Sequence, residues 1–282
     1  MNNMIPDLEN LPGKAQKQIL VVPIIDSSKS MEEKGNIGKV NEAMREMAPQ
    51  LVAIENANNV DILLAPIIFN NGASWVGLDS NGNPQKADSF NWFDVTASGG
   101  TDMGVAFGLL TQKLTTKENG GWLDGRKGLR PILLLISDGA PTDMWEMPLK
   151  MLSRRGWFKV AMKFAIAVED ANISVLEKFT GNNETIYNTD SLRTDLASLV
   201  KVIILEASQA VSDTGGLNPE DTAAPTQQDA DDIEKARIAK NINDIINDNE
   251  AASAPTDNTD NAGAGDSIDM NNDAELFDDD NP

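Results

Sequence analysis

The sequence predicts an α/β protein: a doubly wound, mostly parallel sheet flanked by helices on both faces. Three observations carry that expectation. Apolar runs of strand length alternate with helix-spaced segments from Ile19 to about Ser212, as in a series of β-α-β units. The runs QILVVPII and PILLLI are apolar at successive positions, which suits strands buried on both faces. Each is followed at once by a turn rich in Asp and Ser, at the strand end where open parallel sheets form their ligand crevice.

Taken in order, Gln18–Ile25 reads as the first buried strand and Val60–Phe69 as the second. Between them Val40, Met44, Met47, Leu51 and Ile54 recur at helical spacing, so the two strands run parallel. Pro23 and Pro66 are awkward inside central strands, because proline has no N–H for the ladder, and bulges are expected there. Ala73–Leu78 then predicts a short edge strand before the turn-rich DSNGNPQKAD. SGGTDMG leads into Met103, Phe107, Leu110 and Leu114, a glycine-rich turn opening a helix. Pro131–Ile136 is the next strand, followed by SDGAPTD. Trp145–Phe158 reads as helix, Val160–Val168 as strand, Ile173–Phe179 as a short helix, Thr185–Tyr187 as a last short strand and Leu192–Ala207 as a closing helix.

Residues 14–212 are therefore expected to form one domain and residues 213–282 an acidic, largely disordered tail. The tail carries 19 acids against Lys235, Arg237 and Lys240, so it holds most of the formal charge of −21. Within it Ile238, Ile242, Ile245 and Ile246 line one face of an amphipathic helix near 232–248. Solvation and partner binding both remain open as roles for this tail. So acidic a balance disfavours nucleic acid and anionic membranes as partners. No apolar run approaches the ~20 residues of a membrane span, and Met1–Gln18 lacks a signal pattern, so a cytoplasmic location is expected.

The chain has no Cys and no His. That removes thiol and imidazole chemistry and nearly all zinc sites, so any metal must be held by oxygen. Three predicted loops supply such oxygens: Asp26, Ser28 and Ser30 in DSSKS, Thr101 in SGGTDMG, and Asp138 in ISDGAPTD. Two carboxylates and three hydroxyls suit Mg²⁺, with Mn²⁺ as an alternative, because these ions are hard and prefer about six oxygens. If Asp26 and Asp138 act partly through water, the ion keeps much of its charge and an open position that a partner's carboxylate can fill. Taken alone, DSSKS also reads as a helix N-cap. Gly99 and Gly100 serve the turn in either case. Asp102 and Asp143 read as caps, and Trp122 and Trp157 as packing. Trp145 is the better candidate for the rim of a binding site.

DSSKS, GGT and SDG, in that order, resemble the metal-ion-dependent adhesion site (MIDAS) of von Willebrand factor A (vWA) domains. SGGTDMG, the GGW segment, SDGAPTDMWE and FAIAV are most similar to the tellurium-resistance-associated subfamily called TerY-like. The resemblance covers roughly Gln18–Ser208. It implies a Rossmann-like sheet with one antiparallel edge strand, a bound Mg²⁺, and recognition of an acidic residue on another protein. For the subfamily it implies bacterial or phage stress response and tellurium resistance, with a Ser/Thr kinase or PP2C-type phosphatase as partner. Lys29 departs from the glycine common at its position.

The expected function is thus a magnesium-dependent protein-protein interaction adaptor and not an enzyme. The competing reading is a Mg²⁺-dependent phosphohydrolase or phosphotransferase with Asp26 as nucleophile. Such enzymes want a second acid two residues on, where this chain has Ser28. GGWLDGRKG lacks the spacing of a phosphate loop, and the tail lacks the calcium-loop pattern.

Overall fold

The structure is a computed structural model, and it describes residues 16–125, 128–138, 141–169, 171–189, 196–214, 236–237 and 239–245. Eight strands form one mixed sheet, with β1 (Lys17–Asp26) at its centre. On one side β1 pairs in parallel with β2 (Val60–Leu64) and β3 (Ile67–Asn70), which continue one another along the same line. On the other side it pairs in parallel with β6 (Ile132–Ser137), which leads on to β7 (Met162–Ala167) and β8 (Ile186–Asn188). The antiparallel edge strand is β4 (Gly72–Trp75) against β3, and a two-residue strand, β5 (Gln85–Lys86), lies antiparallel to β2. The chain leaves β1 toward β2 and returns to β6, so the order reverses between β1 and β6, where open sheets form their crevice.

Side-chain alternation splits the core into two layers. Ile19, Val21 and Ile25 of β1 join Ile132, Leu134 and Ile136 of β6 on one face, under α1 (Asn36–Asn58) and α6 (Leu196–Thr214). Leu20, Val22 and Ile24 join Leu133 and Leu135 on the other. That face is covered by α2 (Met103–Lys113), α3 (Glu146–Leu152), α4 (Gly156–Val160) and α5 (Ile173–Thr180). Burial on both faces explains why these strands read as unbroken apolar runs.

Two expectations needed correction. Pro23 and Pro66 do not mark bulges, because the β1 register is the same before and after them, Val21 opposite Leu64 and Ile24 opposite Ile67. That register sets Pro23 opposite Pro66. Ala65 N–H still reaches the Val21 carbonyl at 3.1 Å, but Pro23 has no N–H to return to the Ala65 carbonyl, so the ladder lapses between β2 and β3 while the register is kept. The stretch Trp145–Phe158 is not one helix but two, α3 and α4, parted by a turn at Ser153–Arg155 just before Gly156. Among the described residues no helix is long and apolar enough to cross a membrane.

The segment 239–245 is helical, and its Ile242 is fully buried in the α1/α6 core layer. Ile238 and Ile246 lie outside the described residues.

Candidate metal centre

Asp26 ends β1 and is fully buried. Its Oδ1 accepts the Ser28 amide N–H at 2.8 Å, and its Oδ2 accepts the Ser137 hydroxyl at 2.7 Å. Ser137 is the last residue of β6, so the two central strands are tied together at their carboxyl ends. Burial pushes the Asp26 carboxyl up to about 6; the bonds from Ser28 and Ser137 oppose that rise, and the nearby Asp138 charge adds to it.

Beyond Asp26 the chain turns into a 3-10 segment, Lys29–Gly35, which carries Ser30. The hydroxyls of Ser28 and Ser30 lie 3.0 Å apart. Asp138 is the residue after β6. Burial raises its carboxyl, the Ser30 hydroxyl nearby opposes this, and Glu169 and Glu33 raise it further. Its Oδ1 is buried with no hydrogen-bond partner among the described residues.

The third loop enters through its backbone. Lys29 N–H donates to the Gly99 carbonyl at 3.2 Å, and Ser98 N–H donates to the Ser27 carbonyl at 2.8 Å. Thr101 and Thr142 are paired twice: Thr101 N–H donates to Thr142 Oγ1, and Thr142 N–H donates to the Thr101 carbonyl, both at 2.9 Å. Thr101 is itself buried. Gly99 has φ +75°, and a Cβ there would stand 2.7 Å from the Asn71 side chain, so both conformation and space call for glycine.

The structure thus links Asp26, Ser28, Ser30 and Asp138 through side-chain hydrogen bonds and electrostatic coupling. Backbone bonds at Ser98 and Gly99 anchor the loop that carries Thr101 to the loop that carries Ser28. Asp102 and Asp143 have other work. Asp102 accepts the Gly72 N–H at 2.7 Å, and Asp143 accepts the N–H groups of Gly104 and Val105, capping α2 from a neighbouring loop. Trp122 and Trp157 are buried, and Trp145 is half-buried beneath Lys178. Sequence reasoning missed Ser137 and Thr142. The signal for Ser137 was its place beside Asp138 at the end of an apolar strand, whereas Thr142 carried none.

A hard divalent cation fits this donor set. Every group is an oxygen, two are carboxylates whose burial penalises their charge, and one carboxylate oxygen has no partner among the described residues. Among the described residues no three acidic side chains gather as a conventional metal cluster.

The sequence profile of the von Willebrand factor type A domain matches residues 21–202. No curated protein matches the chain. Among solved structures the chain is similar to proximal thread matrix protein 1 from the mussel byssus. The identity is 14%, 70% of this chain and 48% of that chain are covered, and the TM-score is 0.50. A form of that mussel protein with a zinc-occupied MIDAS motif is similar at 13% identity, with 70% and 48% covered and a TM-score of 0.49. A von Willebrand factor type A protein from Catenulispora acidiphila is similar at 14% identity, with 70% and 43% covered and a TM-score of 0.49. The chain spans about half the length of these structures. Identities this low speak to the fold alone.

Proposed function

From the premise that the chain belongs to the von Willebrand factor type A domain family, we propose that it is a cytoplasmic protein-binding module rather than an enzyme. Asp26, Ser28, Ser30, Thr101 and Asp138 would hold one divalent cation, Mg²⁺ or Mn²⁺, at the carboxyl end of the sheet. The bound ion supplies a Lewis-acidic position for a carboxylate of a partner protein. The chain's own groups do the rest. Ser137 and the Ser28 amide fix the orientation of Asp26, and the Thr101–Thr142 pairing fixes the third loop. The buried Asp138 Oδ1, without a hydrogen-bond partner among the described residues, is the observation that carries this reading.

Asp26 is poorly placed as a phosphoryl acceptor, since both its oxygens are engaged and the residue is fully buried. A finer proposal sets residues 14–212 in a TerY-like system beside a Ser/Thr kinase or PP2C-type phosphatase. It rests on SGGTDMG and SDGAPTDMWE.

Calorimetric titration of the full chain with Mg²⁺, Mn²⁺ and Zn²⁺ at physiological salt tests the metal. One saturable site is expected, lost in Asp138→Ala and weakened in Thr101→Val. Binding that Asp138→Ala leaves intact would overturn the assignment. Capture of partners with Mg²⁺ and again with chelator tests the module's role, and capture indifferent to the chelator counts against it.

A further inference from the structure

Helix α3 buries Leu149 and Leu152, yet turns methionines to solvent. Met144 in the preceding loop is 89% exposed, Met147 63% and Met151 53%, and Val105 of α2 is also exposed. Met147 and Met151 lie four residues apart on one face of α3, and Met144 stands just before the helix starts. Scattered apolar residues on a surface need no explanation, but a contiguous stripe of flexible, polarisable side chains marks a docking face. Past Met151 the surface turns basic. Lys150, Arg154 and Arg155 are exposed, and none makes an ion pair among the described residues. Arg154 and Arg155 line a groove of about 250 Å³ together with Met151 and Thr111.

An occupant of this face must bring apolar side chains for the methionines and carboxylates for the arginines. The chain carries such a segment near its own end. Asp273–Asp280 reads DAELFDDD, in which adjacent bulky apolar residues, Leu276 and Phe277, stand among acids. We propose that this segment docks intramolecularly on the α3 face, with Leu276 and Phe277 against Met144, Met147 and Met151 and its acids against Lys150, Arg154 and Arg155.

The leash is long enough. The last described residue, Ile245, belongs to a helix on the opposite face of the sheet. The two faces lie roughly 30 Å apart, two helix layers and a sheet at ~10 Å each, and a path around the edge of the domain is about twice that. A segment as long as residues 246–272 can span up to ~90 Å. Tethering sets an effective concentration in the millimolar range, so even a weak contact is populated. The proposal does not depend on the metal.

Methionine oxidation in the full chain tests it. Dilute peroxide should convert Met144, Met147 and Met151 to sulfoxides slowly, as followed by peptide mass spectrometry, because a covered thioether is shielded. The double variant Leu276→Ala/Phe277→Ala should oxidise at these positions several-fold faster, and Arg154→Glu/Arg155→Glu likewise. Buried Met103 and Met162 should stay protected in every case, which verifies the fold. Equal rates at the three exposed methionines in the parent and Leu276→Ala/Phe277→Ala chains overturn the proposal. Protection that grows with protein concentration also overturns it, since the occupant would then be a second copy.

Discussion

Asp26 sits where a negative charge is costly, and that fixes the sign of two predictions. Its carboxyl is raised from 3.8 to about 6 by burial. A carboxyl that holds its proton more tightly folded than unfolded stabilises the fold most below pH 3.8. This contribution falls as pH rises and is lost above about 6. The gap corresponds to roughly 3 kcal/mol at most, as each unit is worth ~1.4 kcal/mol. Asp26→Asn removes the charge and keeps the shape, so it should stabilise the metal-free chain at pH 8 by about 1–3 kcal/mol. The advantage should vanish near pH 4. Urea denaturation at the two pH values measures this, and a variant less stable than the parent at pH 8 would refute it. The same variant should lose its thermal response to Mg²⁺. In the parent that response should weaken as pH falls through about 6, because protons and cation compete for one carboxylate.

At the level of elements, the site depends on how three loops are pinned. Asp143 caps α2, whose first turn follows Thr101, although Asp102 is the residue next to the helix and makes no capping bond. Asp143→Ala should therefore cost about 1 kcal/mol of stability. It should also weaken metal binding without touching any proposed ligand, because Thr101 loses the helix start that positions it. Thermal unfolding and metal titration on one preparation separate the effects, and an unchanged metal affinity would show that the cap is only structural. The sequence revealed the elements wherever a pattern ran over many residues, the helical period of α1 and the unbroken apolar runs of β1 and β6. It was less legible where the outcome depends on a partner strand. Pro23 looked like a defect until its neighbour across the ladder proved to be Pro66, a pairing that no local pattern encodes. Asp26, Ser28 and Ser30 stood out by their short spacing in one loop, and Thr101 and Asp138 by the turns that carry them next to a helix start and a strand end. Ser137 and Thr142, whose roles exist only after folding, did not.

At the scale of the whole molecule, the acidic tail affects any metal experiment. Its clustered acids gather divalent cations loosely, and salt near 0.15 M screens that effect over about 8 Å. The buried centre is screened far less, so binding that survives physiological salt belongs to the centre. The tail is also not wholly apart from the domain. Ile242, one of four isoleucines that give segment 232–248 its amphipathic pattern, is fully buried in the layer under α1 and α6. The helical residues 239–245 draw order from that packing, because short helical segments are marginal in water by themselves. Ile242→Asp would put a charge into the apolar layer, and undocking costs less than burying it. The helix should then release and melt locally, with amide exchange across 239–245 approaching unprotected rates. The central strands β1 and β6, sealed by both core layers, should keep their protection. Hydrogen exchange read by mass spectrometry distinguishes the outcomes. Undiminished protection of 239–245 in the variant would mean that Ile242 does not hold the segment, whereas loss of protection in β6 as well would make the helix part of the domain's cooperative core.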